Sequence, residues 1–242
     1  MMQLYGAPDS LWTERARWPL DHHRLPYEHF SRAMLRDLAR LRLLTRRPAG
    51  ALPLPLLRDH LQVISGSFEI ALHAERAGTG PRLVPDITAV IRWNRLGERV
   101  LAAGRLLAER RMAQDPAALQ ELLPVRLPTA ARDLLGPFAG SWLRRRARIR
   151  EEPTAIDDLA EAAIREVLGQ VRSTLAESPY LLGAAFSFAD ISLAVAIEAF
   201  APVASHSLLG PATRECWTHR ALSAEYADLL DWRDLVYSRH RS

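Results

Sequence analysis

The sequence predicts an α+β protein: a mixed sheet with packed helices over about the first 77 residues, followed by an all-helical remainder. Three observations carry this prediction. Four short β-prone segments fall before residue 66 and no convincing one follows. The stretch RAGTGPRLVPD, residues 76–86, holds two Gly and two Pro and marks a connection. Beyond it, apolar residues recur at helical spacing.

Residues 2–5 and 27–30 are short segments suited to strands. Between them, Leu11, Trp12, Ala16 and Leu20 make an incomplete helical stripe over residues 11–23, with a bend expected at Pro19. Leu35, Leu38 and Leu41 mark a second helix. The segments PLLR and LQVI, separated by the turn residues Asp59 and His60, predict a hairpin, and Ser67 to Ala77 a third helix. The order is β-α-β-α-β-β-α.

Residues 88–112 carry a long helical pattern, Asp115-Pro116 opens a short helix, and Thr129 to Arg150 reads as another. Thr154 and Asp157 stand in S/T-x-x-D spacing at the head of a helix through Leu175, and Ala221 to Tyr237 supplies the last. LLPVRLPTAARDLLGPF is Pro-rich enough to predict a loop between helices. These boundaries give a sheet domain over 1–78, a linker over 79–87 and a helical domain over 88–242.

At 242 residues and 48% hydrophobic composition the chain has ample material for a core. The apolar run ISLAVAIEAFAPVA is interrupted by Glu198 and Pro202, short of the roughly 18 to 20 residues a membrane span needs. The start MMQLYGAPDS lacks a basic leader and a long apolar core, so a cytoplasmic location is expected and a secretory signal is not. Cys216 is the only cysteine, which excludes an intrachain disulfide framework and a Cys-x-x-Cys redox or zinc pair. Net charge is +4, with all 32 basic residues arginine. The densest basic cluster, Arg144 to Arg150, is closed by Glu151 and Glu152 and reads as a solvated helix face, without a nucleic-acid recognition motif.

Two stretches carry more information. In YLLGAAFSFADISLAVAIEAF, Ser187 and Asp190 form an S-x-x-D capping box, in which the serine oxygen accepts a helix amide and the carboxylate reaches back to the serine N–H. The helix that follows is apolar on nearly every side, so it is predicted to be buried and structural. In LPLPLLRDHLQVISGSFEIALHAE, Pro55 opens a strand and suits a cis bond, which would turn the Leu54 backbone outward to pair with an extended peptide. Ser67 stands at a helix head, where N–H groups and the positive dipole end attract a carboxylate.

The N-terminal β-α-β-α-β-β-α unit, the LPLLRD strand, Ser67 opening a helix, an all-helical second part and the FSFAD box together resemble the glutathione transferase family over nearly the whole chain. ARWPLDHHRLPYEHF and DLLDWRDLVYSRHR resemble its bacterial members. The resemblance implies a thioredoxin-like first domain that binds glutathione as co-substrate. A small hydrophobic electrophile meets it from the helical domain. It also implies a detoxifying, cytoplasmic homodimer that uses no metal and binds neither nucleic acid nor membrane.

Residue by residue, Leu54 before Pro55 matches the position whose backbone pairs with the cysteinyl part of glutathione. Ser67 matches the residue that holds the γ-glutamyl carboxylate. Ser10, a helix N-cap by its place after the first strand, also matches the hydroxyl that serine-type members set beside the sulfur. The sequence departs from the family at Gly66, where an acidic residue or glutamine commonly holds the γ-glutamyl ammonium; Glu69 is a replacement one turn on. Leu11 and Trp12 stand where a Pro and an aromatic are frequent. The alternative is a non-catalytic module of the same fold, for dimerisation or partner binding, that has lost glutathione affinity through Gly66.

Other signals point away from chemistry. Arg15 and Arg17 face different sides of a helix, and the adjacent His22 and His23 would diverge on one, which leaves the histidines as surface residues. GTGPRL fails the dinucleotide pattern, and no G-x-S-x-G, H-E-x-x-H or P-loop occurs.

Overall fold

In the computed structural model, the described residues are 1–31, 42, 54–123, 140–141, 153–203 and 208–241. The helix expected around Leu35 to Leu41, most of that over 129–150, most of the Pro-rich stretch and the Arg144 to Arg150 cluster lie outside them. The compact units are Met1–Asn94, Ser178–Val195 and Leu235–Ser242 on one side of the division, and Arg95–Glu177 and Ala196–Asp234 on the other.

The first unit is built on four strands, β1 (Met2–Tyr5), β2 (Tyr27–Phe30), β3 (Leu56–Asp59) and β4 (Gln62–Ser65), in the order β2-β1-β3-β4. β1 and β2 run parallel with Leu4 opposite His29, so the chain between them must cross over, and helix α1 (Leu11–His22) does so. β3 is antiparallel to both neighbours, with Leu57 opposite Leu4 and Ile64. The period of two sends Leu4, Leu57 and Ile64 to one face, where Ala16 and Leu20 of α1 and Ile70 and Ala74 of α2 (Ser67–Ala77) close the core. Tyr5 and Leu56 alternate to the opposite face with Phe30, Leu54 and Val63.

The hairpin differs from expectation by one residue: the strands are LLRD and QVIS, and the turn is His60-Leu61. Asp59 pairs with Gln62, and His60 takes a positive φ of 50°, the conformation a tight hairpin turn demands.

The end of α1 overturns the expectation of surface histidines. The helix stops at His22, so the two rings are not splayed by continuing helix and meet at 5.0 Å, edge to face. His23 is only 1% exposed, and neither ring nitrogen is hydrogen-bonded. The GTG segment explains the burial: a Cβ on Gly78 would collide with the His23 backbone and Cβ, and one on Gly80 would come within 3.0 Å of its Nδ1. His73 and His219 are also buried, on Asp59 and Glu161 respectively.

Burial first, and then the charge of His22, lowers the His23 pKa below its usual range, against the pull of Glu75. His240 is lowered by burial, His22 and Arg239. A histidine whose folded pKa is depressed takes up its proton more readily when unfolded. Its stabilising contribution is therefore complete above about pH 6.5 and is lost as pH falls from there. Between pH 7 and 5 the melting temperature of wild type is expected to fall relative to that of His23→Leu; parallel curves would remove His23 from the effect.

Helix α3 (Ile87–Met112) begins after a linker that Glu75 anchors, its carboxylate accepting the amides of Leu83 and Val84 at 2.8 and 2.7 Å. Helices α4 (Pro116–Glu121), α5 (Pro153–Leu175), α6 (Phe188–Ile197), α7 (Pro211–Trp217), α8 (Arg220–Glu225) and α9 (Ala227–His240) follow. Asp115 caps α4 as its Asp-Pro start predicts, accepting the amides of Ala117 and Ala118.

The single last helix expected over 221–237 is two, broken at Tyr226. There the hydroxyl donates to the Arg165 carbonyl at 3.3 Å and the ring packs under the Arg172 guanidinium, tertiary contacts that periodicity does not report. Helix α7, a seven-residue element, carries no apolar periodicity long enough to announce it in the sequence.

The box at α6 also departs in detail. Asp190 Oδ2 accepts the Ser187 amide at 2.9 Å as predicted, but the serine hydroxyl donates to the same carboxylate at 2.8 Å. The Asp190 amide bonds the Ser187 carbonyl instead. Asp190 Oδ1 accepts a further bond from Leu181 N–H at 2.8 Å. No helix of the described residues is long and apolar enough to cross a membrane.

Candidate functional site

The register brings the predicted site residues to one end of the sheet. Tyr5, the last residue of β1, pairs with Leu56, the first of β3, and Leu56 pairs with Ser65, the last of β4. Both α1 and α2 therefore begin at this end, and their N-terminal amides add positive potential there.

Ser10 reaches this end through a pinned loop. Gly6 N–H donates to Phe30 carbonyl at 3.1 Å, His29 Nε2 lies 3.1 Å from the Gly6 carbonyl, and the Ser10 amide donates to Ala7 at 3.1 Å. Glycine is required at position 6, because a Cβ would collide with the buried Thr13 side chain. Ser10 occupies the N-cap position with extended backbone, and its carbonyl accepts the Glu14 amide at 3.0 Å. Its hydroxyl makes no capping bond, contrary to the expectation that it would serve the helix. The residue as a whole is half-buried.

The Leu54-Pro55 bond is cis, as the sequence suggests. Leu54 precedes the ladder, which starts at Leu56, so its backbone lies outside the strand pairing. The Pro55 carbonyl accepts the Gly66 amide at 3.0 Å, which joins this segment directly to the start of α2.

At that start the roles shift by one. Gly66, with φ 102°, is the N-cap, and Ser67 is the first helical residue and buried, so Ser67 does not cap the helix. A side chain at 66 would be strained by this φ, and the Glu69 carboxylate lies where its Cβ would stand. The Glu69 carboxylate thus lies against Gly66, the position at which the resemblance leads one to expect an acidic residue or glutamine. The G-x-x-E spacing of an N-cap and its third helical residue is the signal for this return.

Arg15 and Arg17 do face different ways. The fully buried Arg15 donates to Asn94 Oδ1 and to Ser192 Oγ, whereas Arg17 reaches the Tyr27 hydroxyl and Glu14. Cys216 is a poor nucleophile: burial, with Asp115 beside it, pushes its thiol up to about 11.

Comparison with known proteins agrees with this geometry. Residues 4–82 match the family model for the glutathione S-transferase N-terminal domain, and residues 126–235 that for the C-terminal domain. Among solved structures, a glutathione S-transferase from Xanthobacter autotrophicus Py2 is 18% identical with a TM-score of 0.62, over 100% of this chain and 96% of that one. One from Methylobacillus flagellatus KT, with glutathione bound, is 16% identical with a TM-score of 0.62, over 99% and 96%. The beta-etherase LigF from Sphingobium sp. strain SYK-6 is 14% identical with a TM-score of 0.61, over 98% and 95%. At these identities the structures establish the fold. No curated protein matches the chain.

Proposed function

Because the chain belongs to the glutathione S-transferase family, we propose that it binds glutathione at this end of the sheet and activates its thiol through Ser10 for conjugation to a hydrophobic electrophile. The observation that carries this reading is the Ser10 hydroxyl, which stands at the α1 N-terminus without a capping bond to absorb it.

A free thiol with pKa near 8.5 is mostly protonated at neutral pH, and the thiolate is the nucleophile. The Ser10 O–H donates to the sulfur anion, and the α1 N-terminus adds positive potential, so the proton leaves the thiol for solvent more readily. Ser10 keeps its own proton. With an aromatic halide, the C–S bond forms as the carbon–halogen bond breaks and halide departs. The Leu54 backbone holds the cysteinyl part. Ser67 and the α2 N-terminus hold the γ-glutamyl carboxylate, and Glu69 faces the ammonium.

The non-catalytic alternative rests on Gly66; the carboxylate of Glu69 against that residue speaks for glutathione binding. A thermal-shift titration tests binding. A ligand that binds only the folded state at 100 times its Kd stabilises by about 2.7 kcal/mol, so millimolar glutathione is expected to raise the melting temperature. No shift would favour the module. Glu69→Gln is expected to weaken glutathione binding about 3- to 10-fold, by the loss of one exposed charge-assisted contact. Unchanged affinity in that titration would mean that the ammonium is held elsewhere.

A further inference from the structure

Helix α1, whose first turn follows Ser10, is fastened along its length by the end of the chain. The Trp18 indole N–H donates to the His240 carbonyl at 3.0 Å, and its ring lies 4.6 Å from Tyr237. Arg241 donates from Nε to Glu14 Oε1 at 2.6 Å and from Nη1 to Asp21 Oδ2 at 2.7 Å. Glu14 and Asp21 stand two helical turns apart, so a single guanidinium reaches both along one face.

The position of Glu14 matters for the chemistry proposed at Ser10. Its amide donates to the Ser10 carbonyl, so its carboxylate sits one turn into the helix. A negative charge there offsets the positive helix end that would favour a thiolate. Two cations answer it: Arg17 at 3.5 Å, with a side chain 33% exposed, and Arg241, 14% exposed and therefore less screened by water.

We propose that Arg241 is a positioning residue for thiol activation: by pairing with Glu14 it discharges the first turn of α1, so that the helix end and Ser10 present an uncancelled field to the glutathione sulfur. This rests on the glutathione reading above. Its effect is transmitted through Glu14, not by contact with the substrate.

The test is the pH titration of bound glutathione, followed by ultraviolet thiolate absorbance, in wild type, Arg241→Ala, Glu14→Gln and the double variant, with melting temperatures alongside. Arg241→Ala is expected to lower the thiolate-to-thiol ratio about two- to fivefold at a given pH, the size of a charge at a helix end. The double variant is expected to return to the wild-type ratio, because the charge that needed neutralising is gone. Its melting temperature should stay low, because the bond from Arg241 to Asp21 is still lost.

Glu14→Gln alone should match or exceed the wild-type ratio, and it keeps the Arg241–Asp21 pair should Arg241→Ala not fold. A ratio unmoved in Arg241→Ala, or lowered equally in the double variant, overturns the proposal and leaves the glutathione reading intact. A ratio lowered by Glu14→Gln alone also overturns it. A wild type that does not bind glutathione overturns both.

Discussion

Ser10→Ala is expected to slow conjugation of glutathione to an aromatic halide about 10- to 100-fold, the worth of one hydrogen bond to a charged group. It should leave stability within about 0.5 kcal/mol of wild type. The second half of this expectation makes the experiment discriminating. A serine whose hydroxyl caps a helix loses about 1 kcal/mol on replacement by alanine, but this hydroxyl makes no capping bond. Rate and stability should therefore separate, with the loss confined to the thiolate. Initial rates and melting curves for the two proteins decide it: a lower melting temperature with an unchanged rate would make Ser10 a cap and nothing more.

The largest effect on stability is expected at Asp190. This fully buried carboxylate accepts the amides of Leu181 and Ser187 and the hydroxyl of Ser187, and so ties the start of α6 to the segment before it. Alanine would leave three buried donors unpaired, at about 1 kcal/mol or more each, and open a small cavity. A loss of about 3 to 5 kcal/mol follows, about 6 to 20 °C in melting temperature for a chain of this size.

Burial, against those three bonds, pushes the Asp190 carboxyl up to about 6. A raised carboxylate contributes stability that is complete below its unfolded value and lost as pH rises through about 6. Its slope between pH 4 and 6 therefore opposes that of His23 and His240. Denaturant melts of wild type and Asp190→Ala at pH 7 test the size of the effect, and a difference under about 1 kcal/mol would contradict it.

The elements most legible in the sequence are those fixed by local chemistry. β1 and β2 fall at residues 2–5 and 27–30 as expected, and α2 runs from Ser67 to Ala77. The hairpin register slipped because Asp59 is a turn-favouring residue that here belongs to a strand, while His60 adopts the left-handed conformation. The break at Tyr226 escaped because it depends on Arg165 and Arg172, more than fifty residues away. Among the candidate site residues, the places of Ser10, Leu54, Pro55 and Ser67 are legible because strand ends and helix starts fix them. The return of Glu69 over Gly66 is a matter of side-chain conformation, and the Arg241–Glu14 pair joins opposite ends of the chain. The first shows in the sequence only as the G-x-x-E spacing, and the second leaves no trace there. His23 looked like a surface residue because an adjacent histidine pair says nothing about the glycines at 78 and 80 that bury it.

Binding of glutathione at this sheet end and stabilisation of its thiolate are read together by a pH titration of glutathione thiolate absorbance in the presence of excess wild-type protein. The bound thiol is expected to titrate at least about one unit below the free value near 8.5, about 1.4 kcal/mol of preference for the anion. A titration curve that coincides with that of free glutathione would contradict it.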